Sequence, residues 1–252
     1  MFGPFACHVT VVGALVRLNL LVRLCMFHPN EQPMERGWVG RIDGDRVLHL
    51  AAQTLQSFFL GGGGAREHAE YRLDEVTLLV PVIYPPAVRV FDAQEAFEFA
   101  NPMAVRGPGA VAVLPAGAET LTLLPRLAAV IGADGAIGGF SLFADWRASA
   151  NAAPKDRDFC AALGPVVVTP DELDHARSAL TVRVDGAERL GSSVVEFEWE
   201  AARALAAAGT ELRPGDLLVA PSPAALDGIG PGATVELDAP EIGVLLTTVG
   251  GI

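Results

Sequence analysis

Basic residues are scarce in this sequence, and lysine is almost missing. The 252 residues include 18 Lys and Arg against 30 Asp and Glu, which gives a formal net charge of −12. Nucleic-acid-binding proteins gather cations against the phosphates, and no such cluster of Lys and Arg occurs here. We therefore expect no nucleic-acid partner and repulsion from anionic surfaces.

Cysteine is also rare. The three cysteines, Cys7, Cys25 and Cys160, are far apart and form no Cys-x-x-Cys pair. Disulfide frameworks and zinc sites need an even count or closely spaced cysteines. We interpret all three as reduced thiols of a cytoplasmic protein.

No apolar run is long enough for a membrane helix, which needs ~20 uninterrupted apolar residues. The apolar start of the chain is broken by Arg17, and no small-residue cleavage site follows it, as a secretory signal would require. We predict an unassigned N-terminal extension over residues 1–21, no membrane association, and folded structure from about Val22.

What the chain does have is short apolar segments separated by Gly and Pro. Residues 22–84 predict a small α/β domain, in which Asp43-Gly44-Asp45 has the composition of a hairpin turn. The predicted elements of this domain are a strand at 22–27, a helix at 51–60 and a strand that begins at 76. Residues 85–252 predict a mostly β roll or sandwich with one clear helix, at 198–209.

The stretch TLLPRLAAVIGADGAIGGFSLFADW, residues 122–146, reads as two apolar runs joined by a glycine-rich turn. Arg126 lies at the start of the first run and Asp145 near the end of the second. Two interpretations are open: both side chains reach solvent, or they meet in a pocket as a cation and a carboxylate.

Several segments of the second half resemble the fumarylacetoacetate hydrolase family. KDRDFCAALGPVVVTPDEL resembles the family's Lys-Gly-x-Asp segment with its Leu-Gly-Pro and Thr-Pro-Asp-Glu-Leu, and LAAVIG with IGGFSLFADW resembles a family strand pair. LRPGDLLVAPSP, PGATVELDAPEIGVLLTTV and FEFANPMAVRGPG are also similar to family segments. The resemblance covers roughly residues 85–252, with weaker support over 22–84.

The resemblance implies an α+β, β-rich fold, a mixed β-sandwich or roll that carries a small N-terminal α/β domain. It also implies a homodimer that hydrolyses or decarboxylates carbon–carbon bonds of a small β-diketo or oxo-acid with Mg²⁺ or Mn²⁺. Such chemistry passes through an enolate, whose developing negative charge needs a cation beside it.

The sequence departs from the family pattern at the metal site. The family binds its metal with a Glu-x-Glu pair and an Asp, and here Leu124 and Arg126 stand at the two Glu positions. Asp145 alone matches a ligand, so it would hold a metal only if one is bound. The family's histidine is missing from VFDAQEAFEF, and none of the five histidines replaces it: His8, His28, His49, His68 and His175.

We hypothesise that Arg126 takes the place of the metal and pairs with Asp145, since a guanidinium is always protonated and its fork fits a carboxylate. The expected cofactor is therefore none. The alternative is that Arg126 turns outward while Asp145 bonds to the backbone.

Lys155, the only lysine, matches the family's active-site lysine, and an ammonium can stabilise an enolate or give up a proton. The simpler explanation is an exposed residue left by an arginine-rich composition. Asp158 matches the Asp after that lysine and either orients it or caps a loop.

Weaker candidates rest on the resemblance. Ser222 takes the place of a substrate-contacting threonine, and Asn101 and Arg106 are predicted to bind a substrate carboxylate. Asp92, Glu95 and Glu98 form either a solvated acidic run or the source of a catalytic base.

Three functions remain open: a metal-dependent hydrolase or decarboxylase, a metal-free relative that uses Arg126 and Lys155, and an inactive pseudoenzyme that binds ligands or dimerises.

Overall fold

The computed structural model describes residues 22–170, 179–194 and 196–251. The predicted extension over 1–21 and His175 lie outside the described residues. The first elements are β1 (Arg23–Pro29), β2 (Trp38–Asp43), β3 (Arg46–Leu50), α1 (Leu55–Leu60), β4 (Glu67–Arg72) and β5 (Val76–Leu79). Next come β6 (Val88–Ala93), β7 (Ala96–Ala100), β8 (Val105–Arg106), β9 (Ala110–Val113), β10 (Leu121–Ile131), β11 (Ile137–Arg147) and β12 (Ala161–Val168). The last are β13 (Ala179–Val184), β14 (Ala187–Val194), α2 (Trp199–Ala207), β15 (Leu217–Val219), β16 (Leu226–Ile229), β17 (Thr234–Ala239) and β18 (Gly243–Gly250).

The described strands form two mixed sheets. A 13-stranded sheet has the order β4-β3-β2-β1-β12-β11-β10-β15-β6-β7, with β5 on β1, β8 on β12 and β16 on β10. A 5-stranded sheet has the order β14-β13-β17-β18-β9. The predicted β-rich α+β class is confirmed.

The β10–β11 hairpin lies at the centre of the larger sheet, and its two faces contact different cores. Leu127 and Leu142 belong to a cluster that draws buried side chains from both sheets. Ala128 and Phe143, one residue along each strand, belong to a second cluster that the larger sheet shares with α1. Since successive side chains of a strand point to opposite faces, each face of the hairpin has its own apolar environment.

Local sequence explains where the short elements begin and end. The predicted helix at 51–60 starts only at Leu55, because Thr54 caps it: its Oγ1 accepts the Ser57 backbone N–H at 3.1 Å. The β2–β3 hairpin turns where predicted, at Gly44, whose φ of 59° is in the left-handed region that glycine adopts without strain. The predicted helix at 198–209 is observed as α2, slightly shortened at both ends.

The N-terminal strands continue the larger sheet. β1 pairs antiparallel with β12, with Arg23 opposite Val168 and Leu24 opposite Val167. The division into units at 22–84 and 85–252 therefore stays a prediction, and backbone hydrogen bonds cross its boundary. Among the described helices, none combines the length and apolar character that crossing a membrane would take.

The cysteines that the structure describes are free and buried. Burial raises the pKa of the Cys25 thiol to about 12 and that of Cys160 to about 11. Because the thiolate is the nucleophilic form, neither residue suits nucleophilic catalysis. Cys7 lies outside the described residues.

Candidate active site

The start of β10 and the end of β11 lie side by side in the central hairpin. Leu124 of β10 lies directly opposite Asp145 of β11, and Arg126 is two residues further along the same face. This diagonal arrangement brings long side chains within reach of each other. The Arg126 Nε atom lies 3.1 Å from Asp145 Oδ2, and both side chains are buried.

Arg126 is only 1% exposed, and protein oxygens surround its guanidinium. Its Nη1 group donates to the backbone carbonyls of Phe91 and Ala220, both at 3.0 Å. Its Nη2 group donates to Asp92 Oδ1 at 2.6 Å. Nη1 and Nη2 are therefore hydrogen-bonded to the protein, while Nε makes no hydrogen bond to any described residue despite its closeness to Asp145.

Two further arginines, which the sequence analysis missed, also approach Asp145. Arg147 Nε and Arg157 Nη2 each lie 3.5 Å from Asp145 Oδ2. Arg147 follows Asp145 by two positions on β11, so strand alternation would have placed it on the same face. Arg157 comes from the loop before β12, where no periodic pattern indicates direction.

Three carboxylates lie on the outer side of these arginines. Asp156 Oδ2 accepts from Arg147 Nη1 at 2.7 Å. Asp92 Oδ2 lies 3.8 Å from nitrogens of both Arg147 and Arg157, and Glu98 Oε2 lies 3.7 Å from Arg157 Nη1. The Asp92 and Glu98 side chains are 60% and 69% exposed, so these members of the acidic run face solvent and the arginines at once.

We call Arg126, Arg147 and Arg157 the arginine cluster. Burial raises the pKa of the Asp145 carboxyl, and the guanidiniums of Arg126 and Arg147 oppose this only in part, so the net direction is upward. For Arg147, burial lowers the pKa but the neighbouring Asp145 and Asp156 raise it, and the net direction is upward. Arg147 therefore keeps its positive charge at neutral pH.

A divalent metal does not fit this donor set. Hard cations such as Mg²⁺ need several oxygen ligands, but the groups nearest Asp145 Oδ2 are guanidinium nitrogens, and Leu124 opposite it offers no oxygen. Like charges ~4 Å apart repel by about 4 kcal/mol at intermediate dielectric. Throughout the described residues, no group of three or more His, Cys, Asp or Glu side chains is placed to hold a metal.

Lys155 lies on the surface and forms a separate set of contacts. Its side chain is 75% exposed and its Nζ forms an ion pair with Asp158 Oδ2. The hydrogen bond from Lys155 lowers the pKa of the Asp158 carboxyl. Asn101 joins this set by donating from Nδ2 to the Asp158 carbonyl at 3.2 Å. In the part of the chain that the structure describes, no hydrogen bond or ion pair links Lys155 to the arginine cluster.

The remaining predicted residues contact the backbone. Ser222 Oγ lies 2.8 Å from the Pro125 carbonyl and 2.7 Å from that of Ala224. Since Pro125 precedes Arg126 in the sequence, Ser222 contacts the backbone next to Arg126. Arg106 Nη1 donates to the Met103 carbonyl at 2.7 Å. The structure therefore brings together Arg126 and Asp145, and separately Lys155, Asp158 and Asn101.

Comparison with known families is decisive for the classification. The family model described as fumarylacetoacetate (FAA) hydrolase C-terminal matches residues 84–250, well over half of the chain. The chain belongs to the fumarylacetoacetate hydrolase family. No curated protein matches it closely enough to add to this assignment.

Solved structures agree with the family fold. A 2-hydroxyhepta-2,4-diene-1,7-dioate isomerase from Mycobacterium marinum superposes with a TM-score of 0.76 at 23% identity, over 91% of this chain and 98% of that one. Maleylpyruvate hydrolase from Sphingobium sp. SYK-6, solved with manganese (II) ion and pyruvate, gives a TM-score of 0.74 at 20% identity, over 91% and 99%. A 5-carboxymethyl-2-hydroxymuconate delta-isomerase from Mycobacterium smegmatis gives 0.73 at 21% identity, over 92% and 99%. At these identities the similarity establishes the fold, while the reaction has to be argued from the site.

Proposed function

We propose that this fumarylacetoacetate hydrolase family member acts on a small β-diketo or oxo-acid through an enolate, with protein cations in place of the divalent metal. The observation that carries the proposal is the convergence of three guanidiniums on buried Asp145. Preorganised positive charge can stabilise an oxyanion without a metal. The solved relatives include hydrolases and isomerases of such acids by their names, which supports the substrate class.

Lys155 is the group that we assign to the enolate oxygen. Its ammonium is solvent-accessible, in contrast to the guanidinium of Arg126, and Asp158 fixes its position. An ammonium can both offset the oxyanion and deliver a proton. Asn101 fixes the backbone at Asp158, and Arg106 and Ser222 complete the proposed substrate contacts.

Decarboxylation or isomerisation suits this site better than hydrolysis. Neither step needs an activated water, whereas hydrolysis needs a base of suitable pKa. Should hydrolysis occur, the exposed carboxylates of Asp92 and Glu98 are the candidates for that base, because both lie beside the arginine cluster.

Turnover of a panel of acylpyruvates and oxaloacetate, with and without EDTA, tests the proposal. We expect turnover that EDTA does not reduce, and elemental analysis that finds no stoichiometric magnesium or manganese. Lys155→Met should lower kcat by at least about 100-fold. Lys155→Arg is the matched control: it keeps the charge and should keep KM near the wild-type value while kcat falls, since a guanidinium does not give up its proton. Stoichiometric metal with EDTA-sensitive turnover would restore the metal-dependent alternative.

One observation favours the second candidate, a pseudoenzyme that binds ligands or dimerises. The Arg126 guanidinium, which we propose in place of the metal, already contacts oxygens of Phe91, Ala220, Asp92 and Asp145. These contacts within the protein leave it little capacity to act on a substrate. Binding of an oxo-acid without turnover of any member of the panel would establish this alternative.

We also propose a homodimer located in the cytoplasm. Support for the dimer comes from four exposed apolar side chains on one face of the 5-stranded sheet, Val111, Val113, Val244 and Leu246. Support for the cytoplasm comes from the free thiols of Cys25 and Cys160.

A further inference from the structure

The arginine cluster lies between two carboxylates that differ in exposure. On the inner side, nitrogens of all three arginines lie 3.1–3.5 Å from Oδ2 of buried Asp145. On the outer side, nitrogens of the same three arginines lie 2.6–3.8 Å from the carboxylate of Asp92, whose side chain is 60% exposed. One carboxylate is therefore an internal part of the fold, and the other covers the cluster from the solvent side.

Strand geometry sets this outer position. Asp92 follows Val88 and Val90 by alternation on β6, and those valines belong to the same apolar cluster as Ala128 of β10. Asp92 is near the end of the strand, where the apolar face gives way to solvent. Its carboxylate is thus attached to the backbone at a fixed point and must reach three guanidiniums from there.

The fit of Asp92 to the cluster is good for one arginine and poor for two. Oδ1 accepts from Arg126 at 2.6 Å, but Oδ2 stands 3.8 Å from both Arg147 and Arg157. Arg157 is the least satisfied of the three: its side chain is 3% exposed, and Nε, Nη1 and Nη2 make no hydrogen bond to any residue that the structure describes. Buried donors without hydrogen bonds are costly, so an acceptor that approached Arg157 more closely would be favoured.

Charge sets how an added anion could bind. The three guanidiniums face four carboxylates, Asp145, Asp156, Asp92 and Glu98, so a further anion has to take the place of one of the two exposed ones, Asp92 or Glu98. A carboxylate that is free in solution can align its two oxygens with a guanidinium fork, an arrangement that a tethered side chain does not reach here.

We propose that Asp92 covers an anion-binding site formed by Arg126, Arg147 and Arg157, and that a small free carboxylate binds there by displacing the Asp92 side chain. The ligand class is a short mono- or dicarboxylate whose oxygens bridge Arg147 and Arg157. The inference concerns binding and does not depend on the proposed reaction.

Titration calorimetry of the full chain with oxalate and with pyruvate tests the site. Asp92→Ala removes the competing carboxylate, so these anions should bind at least about tenfold more tightly than to the wild type, as expected when an occupied site becomes free. They should also raise the melting temperature of Asp92→Ala by more than that of the wild type. Asp92→Asn, which removes the charge at similar size, should change affinity in the same direction.

Two controls keep the result specific. Asp43→Ala removes an exposed carboxylate at the end of β2 and should leave affinity unchanged. Arg157→Lys in the Asp92→Ala background should weaken binding again, because an ammonium cannot form the bidentate contact; Arg147→Lys replaces it if that double variant does not fold. Unchanged affinity in both Asp92 variants, or tight binding that survives the arginine substitution, would overturn the inference. Absence of turnover has no bearing on this titration, so it stays interpretable if the proposed reaction fails.

Discussion

Arginine and lysine side chains at the candidate site differ in burial and in the number of protein groups that they contact. The Arg126 guanidinium is buried and contacts Asp145, Asp92 and two backbone carbonyls, whereas the Lys155 ammonium is exposed and, among the described side chains, pairs with Asp158 alone. The Arg126 guanidinium lies against two backbone carbonyls and buried Asp145, so a ligand reaches it only in place of the exposed Asp92 side chain. We therefore assign Arg126 a positioning role in the proposed reaction and place the chemistry at Lys155.

A second buried ion pair supports the strands beside the site, and its loss should destabilise the fold. Arg89 Nη1 lies 3.0 Å from Asp216 Oδ2, and both side chains are buried. Asp216 also accepts the Arg213 backbone N–H at 3.2 Å. We predict that Asp216→Ala lowers the free energy of unfolding by about 3–5 kcal/mol, because it leaves a buried guanidinium without its carboxylate. Urea denaturation followed by circular dichroism measures the change.

The matched control for this prediction is an exposed pair. Arg72 and Asp74 form an ion pair at 2.9 Å with both side chains well exposed. Surface pairs contribute little to stability, so Asp74→Ala should not be distinguishable from the wild type in the same experiment. Equal losses in the two variants would show that burial of Arg89 and Asp216 is not what makes their pair important.

Strands and turns determine how much of the site could be predicted. The hairpin pattern of residues 122–146 singled out Arg126 and Asp145 but left open whether their side chains meet or reach solvent, and the pairing was a hypothesis from the family's metal site. Strand alternation also places Arg147 on the same face as Asp145. Asp156 and Arg157 lie in an irregular loop, where the sequence carries no period from which side-chain direction can be inferred.

The helix α1 offers a test at the level of one element. The Thr54 side chain and the Ser57 side chain each accept the other's backbone N–H, at 3.1 and 3.0 Å, and α1 packs Leu55 and Phe58 into the second apolar cluster. Thr54→Ala should lower the free energy of unfolding by about 1 kcal/mol, since an N–H at the helix start loses its acceptor. Thr54→Ser keeps the hydroxyl and should retain most of the stability. Thermal melts of the two variants and the wild type measure the difference. A full effect in both variants would mean that the Thr54 methyl group, and not the cap, is responsible.

Across the whole chain, pairing between distant strands could not be read from local pattern. β6 lies beside β15 and brings Asp92 to Arg126, although neither segment carries a signal for the other. Similarly, β1 joins β12 and makes the N-terminal strands part of the larger sheet. The family resemblance indicated the fold class, but the contact between Asp92 and the arginine cluster depends on this long-range order.

The outer face of the 5-stranded sheet is where we expect two copies to meet. Val111 and Val113 lie on β9, and Val244 and Leu246 lie on the neighbouring β18; the register Val111–Thr248 puts all four on one face. A contiguous exposed apolar face is typical of an interaction surface. A two-fold dimer would place the same patch of each copy against the other.

A charge on that patch should weaken the dimer. Val113→Asp would bury a carboxylate in the two-fold interface, close to the same carboxylate of the second copy, which is unfavourable. We therefore expect a shift from dimer toward monomer. Light scattering coupled to size-exclusion chromatography over a dilution series measures it. Leu60→Asp adds the same charge at another exposed apolar residue, at the end of α1, and should leave the association unchanged. A wild type that is monomeric at every concentration, or a Val113→Asp variant that dissociates no more readily than Leu60→Asp, would contradict the assignment of this face. Since edge strand β9 carries two of the four side chains, the dimer would also cover a strand that is otherwise open to unwanted pairing.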